Sequence, residues 1–255
     1  AMNLDAATLD NANGILGAGN DLTIHAGKLD NQQGVMVSGG GGAITADTLD
    51  NRAGQLAAQQ ALTLSGDSIN NDEGGLIQSG DALTVEAGEL TNRRSGDKGG
   101  ITSLGEMTLT TGTFANNDGV TLTGKSLTLN SGTLDNTSGE LVATGALKLD
   151  LNGELNNQSG LMQGGSVALD TTGHEFTNLD GTLNSLGSLA LNSGALNNQN
   201  GTLAAKGPFE LSAASVDNRN GGRIIGESAT TLESGALQNG GGQIQSVGDL
   251  MLDVA

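Results

Sequence analysis

The sequence predicts an all-β solenoid: a parallel β-helix of about 12 rungs, each 20–21 residues long and carrying three short strands. Three observations point there. One asparagine recurs at nearly constant spacing along the chain. Apolar residues alternate with polar ones at period two around it. The composition is rich in glycine and almost free of aromatic rings.

The first beat is that asparagine, at Asn11, Asn31, Asn51, Asn71, Asn92, Asn116, Asn136, Asn157, Asn178, Asn198, Asn218 and Asn239. The spacing is 20 or 21 residues, except for one interval of 24. Two residues before each stands an apolar side chain: Leu9, Leu29, Leu49, Ile69, Leu90, Phe114, Leu134, Leu155, Phe176, Leu196, Val216 and Leu237. A glycine usually follows three residues after the asparagine, as in "LDNANG" at Leu9 to Gly14.

The second beat is an apolar-x-apolar triplet, as in Leu22-Thr23-Ile24, Leu83-Thr84-Val85, Leu127-Thr128-Leu129 and Phe209-Glu210-Leu211. Ile44-Thr45-Ala46 and Thr230-Thr231-Leu232 are weaker copies. The third beat is an apolar residue two after the glycine, such as Leu16, Met36, Leu56, Leu76, Leu141, Met162, Leu183, Leu203 and Ile244. Period-two alternation means strands with one face inward. Three strands in so few residues cannot form a self-sufficient sheet, so each rung must bury its inner face against its neighbours. At roughly 4.8 Å per rung the expected rod is on the order of 60 Å long. Residues 1–255 read as one repeat domain, a stretch of a longer shaft.

Composition fits this reading. The chain has 43 glycines, one proline, three phenylalanines and no tryptophan, tyrosine or cysteine. A narrow lumen takes Leu, Ile, Val and Ala, and the glycines are expected at corners where positive φ is needed. Phe114, Phe176 and Phe209 replace leucines of the beats and are expected in the core. "GGGG" at Gly39 to Gly42 reads as a stretched corner. A net charge of -18 disfavours nucleic acid, and no apolar run is long enough to span a bilayer. The start, "AMNLDAATLD", does not read as a signal peptide. Open strand edges predict some end-to-end association.

Residues two apart in a strand point the same way. If Leu9 faces inward, so does Asn11, and Asp10 faces water. The asparagines then stack as a ladder of side-chain amides, each able to donate and accept. The outer neighbour varies (Asp10, Asn70, Thr91, Ala115, Asp135, Asn156, Gln238), which suggests a solvated position. On this reading Asn136→Ala costs roughly 1–3 kcal/mol, and Asp135→Ala almost nothing.

Other chemistry has weaker support. Calcium rolls need tandem glycine-rich nonapeptides, which do not recur here, so Asp10, Asp30 and Asp50 are expected to form a solvated acidic strip rather than a metal site. No cofactor is expected. Paired carboxylates arise between any neighbouring rungs and carry no specificity for glycoside chemistry. His25 and His174 lie far apart with no nucleophile motif, and no enzyme activity is expected. The one long interval, "LTNRRSGDKGGI", holds an irregular loop at 93–100 with Arg93, Arg94 and Lys98. It is either a contact loop or a tolerated corner insertion.

The pattern "LDNxxG … LTLxAGxLDN" resembles the haemagglutinin repeats of filamentous haemagglutinin and related large exoproteins. These belong to the two-partner secretion family of Gram-negative bacteria, which includes adhesins and contact-dependent growth inhibition effectors. The resemblance runs from Leu4 to Leu252. It implies a right-handed β-helical shaft, secreted to the cell surface through an outer-membrane transporter partner. Such a shaft presents an adhesive tip or carries a toxin to neighbouring cells. The alternative is a module that binds a receptor or glycan through an outer face or the 93–98 loop. The Asn-Pro-Asn motifs of the secretion domain and the Val-Glu-Asn-Asn marker before toxin regions have no match in these residues.

Overall fold

The computed structural model describes residues 1–171 and 173–255. Its described residues form strands, turns and bends, without a helix. The chain divides into two compact units, Ala1–Lys125 and Ser126–Ala255. Each is a parallel β-solenoid.

In the first unit nine-residue strands alternate with four-residue strands. The long strands are Met2–Asp10, Leu22–Asp30, Gly42–Asp50, Leu62–Asn70, Leu83–Thr91 and Met107–Ala115, and they pair in that order as one parallel sheet. The short strands, Ile15–Ala18, Val35–Ser38, Gln55–Ala58, Leu76–Ser79, Gly100–Ser103 and Val120–Thr123, form the other. Register follows the repeat. Leu29 pairs with Leu49, Leu49 with Ile69, and Ile69 with Leu90, so each apolar beat stacks on its own kind. The second unit repeats this arrangement, with Leu189–Asn197 pairing Phe209–Asp217 in full register.

The three beats therefore occupy two hydrogen-bonded strands in most rungs. The triplet and the pre-asparagine residue share one long strand. Burial shows how. Leu22 and Ile24 face inward, then the inward set shifts parity to Leu29 and Asn31. The strand bends at Ala26-Gly27 while its ladder continues, because parallel neighbours bend with it. In three rungs of the second unit the strand breaks instead: Ala146–Leu151 from Leu155–Asn156, Ser166–Asp170 from Phe176–Thr177, and Thr230–Ser234 from Leu237–Gln238. In the first two, the stretch from triplet to asparagine (Leu147 to Asn157, Val167 to Asn178) is longer than in the unbroken rung from Leu189 to Asn198. The surplus is extruded at the bend.

The core is the stack of inward side chains. Phe114, Phe176 and Phe209 are at most 1% exposed, as their replacement of beat leucines predicts. Each fully buried Leu, Ile or Phe is worth roughly 1.5–3 kcal/mol. Two expectations need correction. Leu76 is only half-buried; Ile77 fills its core slot and pairs with Leu56. The turn after Asn71 holds one residue more than usual, ending at Gly75, and this moves the inward phase by one. Gly39 to Gly42 is not a stretched corner. Gly42 begins a strand in register with Leu22 and Leu62, and a Cβ there would lie 2.7 Å from Leu62 Cδ1. The Leu62 side chain occupies the space that glycine leaves.

Candidate functional site

The most regular polar feature is the column of repeat asparagines, which lie at the end of each long strand. In the first unit Asn11 Nδ2 donates to Asn31 Oδ1 at 2.7 Å, and the relay continues through Asn51 and Asn71 to Asn92 and Asn116. In the second unit it runs Asn136, Asn157, Asn178, Asn198, Asn218 and Asn239 at 2.7–2.8 Å. From Asn31 to Asn218 every one is fully buried. The second amide hydrogen is directed at backbone carbonyls of the turn, for example from Asn31 to Gln55 O at 3.1 Å and from Asn157 to Gly160 O at 3.2 Å. Each side chain thus joins two rungs and adds a second hydrogen bond to carbonyls such as Gly160 O, which already accepts the Thr182 N–H at 2.8 Å.

Gly74, Gly221 and Gly241 take the positive φ expected of corner glycines (75–86°), but in most corners the glycine after the asparagine has a different role. The positive φ falls on the residue before it: Asn13, Gln33, Ala53, Glu73, Asp118, Ser138, Ser159, Asp180 and Asn200, all between 51° and 59°. The glycine itself is required for closeness. A Cβ on Gly34 would lie 2.6 Å from Asn31 Oδ1 and clash with the Asn11 carbonyl. Gly54, Gly160, Gly181 and Gly201 repeat this contact one rung further on. The glycine admits the asparagine and carbonyl of neighbouring rungs into van der Waals range.

The outer neighbour of the asparagine is less free than its variability suggests. Eight of these positions are Asp or Asn, and each Oδ1 accepts the backbone N–H two residues on, as in Asp10 with Ala12 at 2.9 Å and Asn156 with Gln158 at 3.0 Å. Asp135 also accepts the Thr137 hydroxyl at 2.6 Å, so Asp135→Ala does carry a cost. These Asx turns pin the corner from outside. Sequence reasoning missed them, although the bias toward Asp and Asn was the signal. It also missed a second corner device. Ser38, Ser79 and Ser185 sit at the ends of short strands, and each Oγ donates to the carbonyl three residues on at 2.6–2.8 Å.

Two of the outer aspartates carry arginine partners. Arg52 Nη2 lies 2.7 Å from Asp50 Oδ2, and Arg219 Nη2 lies 2.7 Å from Asp217 Oδ2. Partial burial pushes the Asp50 carboxyl up. Hydrogen bonds from the Arg52 side chain and backbone, with the charges of Arg52 and Lys28, outweigh it and bring the pKa below the usual carboxylate range. The Asp217 carboxyl is likewise lowered, chiefly by the Arg219 side-chain hydrogen bond, against a smaller desolvation effect.

The irregular loop expected at 93–100 follows Asn92 and ends at residue 99, since Gly100 begins a strand paired with Leu76. Arg93 and Arg94 are exposed, but both turn back onto the preceding rung. Arg93 N–H donates to Asp72 Oδ1 at 2.7 Å, its guanidinium lies 4.0 Å from Asp72 Oδ2, and Arg94 Nη2 is 3.0 Å from Glu73 Oε1. Lys98 is exposed. Ser95 is buried beneath the loop and its Oγ accepts the Val120 N–H at 3.0 Å. His25 is exposed, and Asp10, Asp30 and Asp50 stack in register on the outer face. Among the described residues no group of three or more His, Asp or Glu is placed to hold a metal ion. In the second unit an open groove of about 500 Å³ is lined by Ala168 and Ala190 together with Asp150, Asp170, Glu210 and Glu233.

The model of the haemagglutinin repeat matches residues 3–66, 37–110, 98–159 and 163–250. No curated protein and no solved structure matched the chain. The matched segments cover nearly every rung whose asparagine, glycine and apolar beats are described above, and the chain belongs to the haemagglutinin repeat family.

Proposed function

We propose that this chain is a rod-like stalk segment of a large secreted bacterial surface exoprotein. It holds an adhesive tip, or a toxin delivered to neighbouring cells, away from the cell that makes it. One observation carries the reading: the recurring polar residues are committed to joining rung to rung. The asparagine amides bond to the next rung, and the outer Asp and Asn residues bond their own corners. A module built this way supplies stiffness and length. Membership of the haemagglutinin repeat family, typical of secreted and cell-surface bacterial proteins, supports the same reading. An outer-membrane secretion transporter of a Gram-negative bacterium is the partner proposed for export, and no catalytic role is assigned.

The test is removal of one whole rung from the parent exoprotein. Deleting residues 189–208 fuses Ser188 to Phe209, which already pairs with Leu189 in register. A spacer tolerates this: surface display and cell engagement persist, and reach shortens by roughly 4.8 Å. Loss of engagement with the solenoid intact would refute it.

A second reading is receptor or glycan binding through an outer face or the 93–98 loop. The groove over Ala168 and Ala190 and the exposed Arg93, Arg94 and Lys98 favour it. Replacing Arg93 and Arg94 with alanine abolishes binding of the isolated chain to target cells if the loop is the contact. Undiminished binding excludes the loop.

A further inference from the structure

The chain holds five Asn-Gly dipeptides: Asn13-Gly14, Asn152-Gly153, Asn200-Gly201, Asn220-Gly221 and Asn239-Gly240. This pair is the one most open to intramolecular attack of a backbone nitrogen on a side-chain amide, since glycine offers no Cβ to obstruct it. The fold treats the five differently.

Three are held at the turn. Gly14 N–H donates to Asn11 O at 2.8 Å, Gly201 N–H to Asn198 O at 3.1 Å, and Gly221 N–H to Gly241 O at 3.0 Å. In each case the nitrogen that would attack is engaged. The preceding Asn13, Asn200 and Asn220 have φ of 53–56°, fixed by the turn. Asn200 and Asn220 are held further, through side-chain bonds to Asp180 and Gln199. In the fourth pair the Asn239 amide is itself the ladder acceptor, taking the Asn218 Nδ2–H at 2.7 Å.

Asn152-Gly153 has neither restraint. It lies between strands Ala146–Leu151 and Leu155–Asn156, at the bend where this rung carries its surplus residue. The Asn152 side chain is exposed and makes no hydrogen bond, and Gly153 N–H has no acceptor among the described residues. The strand ladder is already interrupted here; the Asn152 N–H still donates to Ser131 O at 3.0 Å, but Gly153 lies outside the paired strands.

We infer that Asn152 is a site of spontaneous deamidation, selected by the fold from five equivalent dipeptides. Gly153 N gives up its proton to solvent base and attacks Asn152 Cγ. The new Cγ–N bond closes a succinimide as the Cγ–Nδ2 bond breaks and ammonia leaves with the solvent proton. Water then adds to either ring carbonyl and opens the ring to aspartate or isoaspartate. The net change is amide plus water to acid plus ammonia. One more carboxylate appears beside Glu154, and the isoaspartate product adds a methylene to the main chain at a bend that already absorbs extra length.

The folded chain is aged in mildly alkaline buffer and mapped by peptide mass spectrometry, with an isoaspartate-specific cleavage or methylation readout. Asn152 converts roughly tenfold faster than each of the other four, which must first give up hydrogen bonds. In urea, where the turns are gone, the five rates converge. Isoelectric focusing of N152Q, whose longer side chain cannot close the five-membered ring readily, shows the early acidic species lost. Comparable conversion at all five sites in the folded chain overturns the inference. So does an unchanged preference for Asn152 in urea, which would trace it to local sequence, or persistence of the acidic species in N152Q.

Discussion

Asn178→Ala tests the amide ladder most directly, since Asn178 lies well inside one unit and is fully buried. Its Nδ2 donates to Asn198 Oδ1 at 2.7 Å, and its Oδ1 accepts from Asn157 Nδ2 at 2.8 Å. Truncation removes both bonds, each worth about 1 kcal/mol net. It also strips Asn198 Oδ1 of its donor inside the core, adding about 1 kcal/mol or more for an unsatisfied buried acceptor. Asn157 loses less, because Gly160 O and Thr182 O still accept from its amide. The sum is about 3 kcal/mol, or a fall in melting temperature of roughly 6–12 °C for a protein of this size. The comparison is Thr177→Ala one residue away. The Thr177 hydroxyl meets only the exposed Glu175 carboxylate, so its loss costs at most about 0.5 kcal/mol. Both are read by thermal unfolding followed by circular dichroism. Equal shifts for the two would refute the assignment of inward and outward positions and, with it, the ladder as a source of stability.

Other perturbations test the corners. Gly201→Ala places a Cβ 2.7 Å from Asn198 Oδ1 and 2.9 Å from Asn178 Nδ2, and should destabilise by about 3 kcal/mol in urea unfolding. Gly19→Ala meets nothing within 4 Å and should be neutral or stabilise by about 0.5 kcal/mol. Ala53→Gly relieves a left-handed φ of 51° on a residue with a Cβ, and should raise the urea midpoint, by about 0.5–1 kcal/mol in stability. Arg52→Ala removes the partner that lowers the Asp50 pKa. A carboxyl with a lowered folded-state pKa stabilises above its unfolded pKa and loses that contribution as pH falls through the folded value. Arg52→Ala should therefore lower the melting temperature slightly at neutral pH and leave it unchanged at roughly pH 2–3; an equal loss at both would separate Arg52 from Asp50.

Much of the architecture was legible because its two signals are cheap to write in sequence. Alternation at period two marks which side chains enter a narrow core, and a fixed spacing marks which copies stack. Leu29, Leu49, Ile69 and Leu90 needed nothing more. Other features failed for physical reasons. Leu76 and Ile77 are both apolar, and only the longer turn ending at Gly75 decides which faces inward. Four consecutive glycines looked like loop, yet Gly42 stands in a strand because Leu62 fills the space above it. Glycine was expected to supply the left-handed residue of the corner; Gly74, Gly221 and Gly241 do, but elsewhere Asn, Gln, Ala, Asp and Ser do so and the glycine answers to crowding from the adjacent rung. A contact between rungs has no trace in a single copy of the repeat. The Asx turns left a compositional trace, but it resembled solvent exposure, since the same carboxylates also face water.

The ladder also bears on how a repeat tolerates irregularity. Within each unit consecutive asparagines are 20, 21 or 24 residues apart, yet the bond between them stays at 2.7–2.8 Å, including Asn92 to Asn116 across the longest interval. Each asparagine therefore acts as a synchronising mark. A phase error introduced by an inserted residue accumulates only until the next mark, where it is reset, and the following turn starts clean. Insertions at the 93–100 corner or at the bend near Asn152 are local events for this reason. A chain with such marks can vary the outline of single turns without losing count, and foreign segments grafted at those two places should leave the turns on either side in phase.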